Sequence, residues 1–136
     1  MLTGEGISLL LVEGDKNALD VCSSIIRRRF PQMVVHAART PKEALTLFTT
    51  RSHDIVVTDI FSSTGEAGIK IAKEVCSKKP NVKVIFISSK TDHNLPIFKS
   101  YPKPLCLENI INKPIHAKEL ISKIRNAILN IPVGSS

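Results

Sequence analysis

The sequence predicts an α/β domain in which a doubly wound, parallel sheet is covered by helices on both faces. Three observations predict it. Short apolar runs rich in Val and Ile occur at Ile7 to Val12, Met33 to Ala38, Ile55 to Thr58 and Val82 to Ile87, as expected of strands buried on both sides. Segments of helical spacing lie between these runs, so strand and helix alternate along the chain. A chain of 136 residues, 43% of them hydrophobic, has the apolar material for one continuous core.

In chain order, the first strand ends at Glu13-Gly14-Asp15, and Leu19, Cys22 and Ile26 mark the buried stripe of the first helix. Arg27, Arg28 and Arg29 close that helix, where cations offset the negative end of the helix dipole, and Pro31 ends it. After the second strand, Thr40 caps a helix with Pro41 at its first position and Glu43 reaching back, a capping box. Ala44, Leu45 and Phe48 face its core side. The third strand is followed by a helix carrying Ile69, Ala72, Val75 and Cys76, which ends at Lys78 and Lys79 before Pro80-Asn81. Between Lys90 and Leu107, the prolines Pro96, Pro102 and Pro104 deny a long helix, so the fourth helix is expected to be short or broken. A fifth, shorter strand holds Ile110 and Ile111, and a last helix from His116 to Leu129 carries Leu120, Ile124 and Ile128 at steps of four. The expectation is one domain over residues 1–136, with flexible ends at about residues 1–6 and 132–136.

Several function classes are excluded or weakened. No stretch approaches the ~18 apolar residues of a membrane span and the start MLTGEGI lacks a signal-peptide pattern, so no membrane insertion and a cytoplasmic location are expected. Cys22, Cys76 and Cys106 are odd in number and widely spaced, which suits reduced thiols. His36, His53, His93 and His116 show no ligand spacing, so they read as structural or solvated. The net charge of +7 could favour nucleic acid, but clusters at helix ends explain much of it, and direct nucleic-acid binding is not expected. A nucleotide-binding enzyme would need a glycine-rich phosphate loop after a strand; Gly4 and Gly6 precede the first strand instead.

In an open parallel sheet, ligands bind beyond the carboxyl ends of the strands. Those ends bring Glu13, Gly14 and Asp15 after the first strand, Asp59 after the third, Ser88 and Ser89 after the fourth, and Lys113-Pro114 after the fifth. Acids, a hydroxyl and a lysine would converge there from distant parts of the chain.

The series VEGD, VVTDIF, FISS and NKP, in that order and at strand-like intervals, resembles the receiver domain of response regulators over nearly the whole chain. The resemblance implies a flavodoxin-like sheet of order 2-1-3-4-5. It also implies a non-enzymatic signalling role in a two-component system, in which a histidine kinase or phosphotransfer protein passes a phosphoryl group to Asp59. A downstream protein or output domain would then respond. Mg²⁺ would be held by Glu13, Asp59 and the backbone carbonyl of Phe61, while Ser88 and Lys113 would bind the phosphoryl oxygens. A cis Lys113–Pro114 bond is expected on the same ground.

The chain also departs from the family pattern. Gly14 stands where a second acid is usual, which predicts weakened Mg²⁺ binding; Asp15 could compensate weakly, but it matches the helix-capping position. The loop IFSSTGEAG is one residue longer than usual and has Ser63 in place of a common proline. The switch position, three before the lysine, is Ile110, which has no side-chain hydrogen bond to offer. The alternative is a pseudo-receiver, a protein-interaction module that acts without phosphorylation.

Overall fold

In chain order the chain forms β1 (Ser8–Val12), α1 (Lys16–Arg29), β2 (Val34–Ala38), α2 (Pro41–Arg51), β3 (Ile55–Asp59), α3 (Ala67–Lys78), β4 (Lys83–Ser88), β5 (Leu107–Asn112) and α4 (Ala117–Leu129). These bounds come from a computed structural model that describes residues 3–60, 67–89 and 106–132. The strands pair in parallel in the order β2-β1-β3-β4-β5, the doubly wound sheet expected. The region expected to hold a short or broken fourth helix lies, from residue 90 to 105, outside the described residues.

The sheet divides the core into two layers, which is why its strands are apolar at consecutive positions. Leu9, Leu11, Ile55, Val57, Ile85 and Ile87 face α1 and α4, where Ile26, Leu120 and Ile124 meet them. Leu10, Val12, Val56, Val84 and Phe86 face α2 and α3, against Ala44, Phe48, Ala72 and Val75. Leu9, Leu10 and Leu11 are all fully buried although they point alternately to opposite faces. Each such side chain contributes about 1.5–3 kcal/mol of burial, so Leu10→Ala is expected to cost about 2–5 kcal/mol.

Helix boundaries follow the expected chemistry, with one shift. Phe30 caps the end of α1 just before Pro31, its N–H donating to Ile26 O, and the three arginines occupy the last turn. Thr40 Oγ1 accepts the Glu43 N–H at 3.1 Å. The Glu43 carboxylate returns to the N–H of Arg39 at 3.3 Å, one residue earlier than a capping box places it. Charges read as structural are used structurally: Arg27 Nη2 donates to Val35 O at 2.9 Å, and Lys79 Nζ pairs with Asp54 Oδ1 at 3.2 Å.

Two side-chain pairings were not visible in the sequence. Cys76 and Cys106 lie side by side, their Cα atoms 5.9 Å apart, where α3 meets the start of β5. Thirty positions separate them, and only the β4–β5 pairing brings them together. His36 and His53, read as structural or solvated, are structural: His36 Nδ1 and His53 Nε2 are 2.8 Å apart beneath α2. His53 is fully buried and stacks on Phe48, the ring centroids 6.0 Å apart.

Candidate functional site

The strand order reverses between β1 and β3, and a crevice is expected at the carboxyl ends there. A cavity of about 790 Å³ opens at that place, with Glu13, Gly14, Asp15, Arg39, Asp59 and Lys113 in its wall.

Each acid reaches the cavity by a different local device. Glu13 follows β1 and continues its ladder, its N–H donating to Ala38 O at 3.0 Å. Its Oε1 accepts the N–H of Asp15 at 3.0 Å, which folds the turn back on itself. Asp15 is the N-cap of α1, its Oδ1 accepting the Ala18 N–H at 2.9 Å. The capping role therefore occupies one of the two carboxylate oxygens with which Asp15 could have replaced the acid missing at Gly14.

Asp59 is the last residue of β3, one position beyond the apolar run, where the ladder to Ile87 still holds it. Its side chain is only 15% exposed, and Oδ1 lies 3.0 Å from Lys113 Nζ. Burial pushes the Asp59 carboxyl up to about 7, helped by a hydrogen bond to the Glu13 side chain that requires the proton; Lys113 opposes the rise. Two carboxyls thus face each other, and one ammonium, that of Lys113, pairs with Asp59.

Lys113 follows β5, and the bond joining it to Pro114 is cis, as expected. Its N–H donates to Ser88 O at 2.8 Å, which ties the ends of β4 and β5 together. Ser88 is fully buried, and its Oγ donates to Ser89 O at 2.9 Å rather than forming part of the cavity wall. Ile110 is half-buried against the α2–α3 side of the core, opposite Phe86 on β4. Phe61 and Ser63 lie outside the described residues.

Two contributors were missed by sequence reasoning. Arg39 follows β2, the one strand whose end was not considered, and it donates from Nε and Nη2 to Gly14 O at 3.2 and 3.1 Å. Gly68, in the first turn of α3, donates its N–H to Ile60 O at 3.0 Å and leaves no room for a side chain against Asp59. The tripeptide Glu-Ala-Gly before an apolar helix was the available signal for the second.

Against known proteins, residues 9–125 match the family model of the response regulator receiver domain. A response regulator receiver domain protein from Clostridium thermocellum has the same fold with a TM-score of 0.75 at 23% identity, over 90% of this chain and 94% of that one. A CheY-like receiver domain protein from Methanospirillum hungatei gives 0.74 at 20% identity, over 88% and 90%. NtrX from Brucella abortus gives 0.75 at 18% identity, over 90% of this chain but 27% of that protein. No curated protein matches.

Proposed function

The chain belongs to the response regulator receiver family, and from that membership we propose that Asp59 accepts a phosphoryl group from a histidine kinase or phosphotransfer protein. The modified domain then switches a downstream protein or an output domain. The observation that carries this reading is the ion pair of Asp59 Oδ1 with Lys113 Nζ, 3.0 Å apart at the mouth of the cavity.

In the proposed step an ionised Asp59 oxygen attacks phosphorus as the bond from phosphorus to the donor breaks, and the electron pair leaves with the donor. Charge spreads over the three equatorial phosphoryl oxygens, and stabilising it is most of the catalytic task. Lys113 can pass from the carboxylate to one of those oxygens without leaving the site. Ser88, whose Oγ donates to Ser89 O, is proposed to donate to another. The products are an aspartyl phosphate and the free donor; the domain turns over no substrate of its own and acts as a signalling module.

The residues present fit a Mg²⁺ ion with a reduced ligand set. Glu13 and Asp59 turn two carboxyls toward each other; burial first and the neighbouring Glu13 next raise Asp59, and a divalent cation between them would favour the ionised form. Mg²⁺ is commonly held by one or two carboxylates with water completing its octahedron. Bound there, it would neutralise phosphoryl charge; Glu13 and Asp59 would hold it, with the Phe61 carbonyl proposed as a third donor and Asp15 as a weak one.

The pseudo-receiver reading is favoured by one observation, the absence of any side chain at Gly14 while Asp15 is engaged as a cap. Incubation with acetyl phosphate and Mg²⁺ separates the two, with intact mass as the readout. The wild type is expected to gain one phosphoryl mass and Asp59→Asn none. No gain in folded wild type at any Mg²⁺ concentration would favour the pseudo-receiver, and a gain in Asp59→Asn would remove Asp59 from the role. No helix among the described residues is long and apolar enough to cross a membrane.

A further inference from the structure

Arg39 brings a second cation, besides Lys113, to a cavity wall that also carries Glu13, Asp15 and Asp59. Its guanidinium is seated on the Gly14 carbonyl oxygen by two hydrogen bonds, from Nε at 3.2 Å and Nη2 at 3.1 Å. Its main chain is held as well: the Arg39 N–H donates to Glu43 Oε1, and the neighbouring Ala38 carbonyl accepts from Glu13. A guanidinium has five N–H donors in a rigid fork. Two are used, and the other three have no partner among the described residues.

The charge at this edge of the cavity is therefore inverted. Where the receiver pattern has a carboxylate, residue 14 has no side chain, and its carbonyl anchors a permanent cation. A cation at that edge repels a divalent metal ion and attracts an oxyanion, and a guanidinium with free donors matches phosphoryl oxygens in shape as well as charge.

We propose that Arg39 binds phosphoryl oxygens of the incoming donor, supplying charge that Mg²⁺ would otherwise provide while loosening the hold of the site on that ion. Anion binding by Arg39 stands on the geometry alone; its part in transfer rests on Asp59 being the phosphoacceptor. A merely structural Arg39, pinning the turn after β1 to the turn after β2, would alter neither anion nor metal affinity by its charge.

The test uses the full chain as wild type, Arg39→Gln and Arg39→Lys. Arg39 is exposed, so the core is untouched, and glutamine retains an amide donor for Gly14 O without the charge. Inorganic phosphate binding without metal is followed by NMR titration, Mg²⁺ binding by calorimetry, and phosphoryl uptake from acetyl phosphate by intact mass. Arg39→Gln is expected to weaken phosphate about tenfold and tighten Mg²⁺ a few-fold, as loss of one charge-assisted contact implies. Arg39→Lys should fall between, because it keeps the charge but loses the fork. Equal phosphate and Mg²⁺ affinities in wild type and Arg39→Gln, or no phosphate binding by wild type, would overturn the proposal. Arg39-dependent phosphate binding in a wild type that takes no phosphoryl group would support Arg39 and refute Asp59 instead.

Discussion

Gly68 seats α3 directly against the backbone of Asp59. A Cβ at Gly68 would stand 2.6 Å from the Asp59 carbonyl carbon, closer still to its oxygen, and 2.7 Å from Ile60 O. These are backbone atoms of the last residue of a central strand and of the residue after it, so they cannot move aside as a side-chain tip could. The helix start and the proposed phosphoacceptor are therefore mechanically one unit.

Gly68→Ala is expected to destabilise the fold by about 1–3 kcal/mol through overpacking, and to displace Asp59 from Lys113. Denaturant melts would measure the first and phosphoryl uptake the second. A variant as stable and as active as wild type would show that the approach of α3 to β3 is looser than described.

The carboxyl of Asp59 gives stability a dependence on pH. Its folded value of about 7 lies above the ordinary 3.8, because of burial first and Glu13 next. Between those values the folded chain holds a proton that the unfolded chain lacks, so stability is greatest at the acid end and falls as pH rises toward 7. Asp59→Asn removes this loss and should be more stable than wild type by on the order of 2 kcal/mol at pH 8, with little difference near pH 4. Melts at both pH values check this; an equal offset at both would mean that ionisation is not its cause.

Gly14→Asp is expected to restore a metal-binding carboxylate. A Cβ there meets only Arg39 O, at 3.7 Å, which is ordinary contact. A third hard oxygen ligand should tighten Mg²⁺ by about tenfold or more, measurable by calorimetry. Unchanged affinity would indicate that the new acid pairs with Arg39 instead of facing the metal position.

His53 should make the fold sensitive to acid. Burial, then the neighbouring His36 and Lys79, lower it from 6.5 to about 4. As pH falls from 6.5 to 4 the unfolded chain gains a proton that the folded chain refuses, so up to about 3 kcal/mol of stability is lost across that window. His53→Phe, which keeps the ring against Phe48, should flatten this slope in melts taken from pH 7 to 4. An NMR titration placing wild-type His53 near 6.5 would contradict it.

Much of the architecture was legible because it depends on short-range patterns. The four apolar runs became β1 to β4 within a residue at either end, and β5 extends from Leu107 to Asn112 around the Ile110-Ile111 pair that announced it. Asp59 and Ser88 lengthen β3 and β4 by one residue, since a polar side chain at a strand end does not interrupt the backbone ladder. Thr40 was recognisable as a cap, whereas the choice of Arg39 N–H by Glu43 was not, because it depends on how the chain leaves β2.

The sequence by itself determined the alternation of strand and helix, the apolar faces, and the four strand ends from which Glu13, Asp59, Ser88 and Lys113 come. Periodicity and capping are properties of a few neighbouring residues, so they can be read locally. Only the tertiary structure decided that Arg39 rests on Gly14, that Gly68 abuts Asp59, that His36 meets His53 and Cys76 meets Cys106, and that burial beside Glu13 raises Asp59. Those facts depend on parallel pairing, which brings distant segments to one edge of the sheet, and on desolvation, which sums over every neighbour that packing supplies.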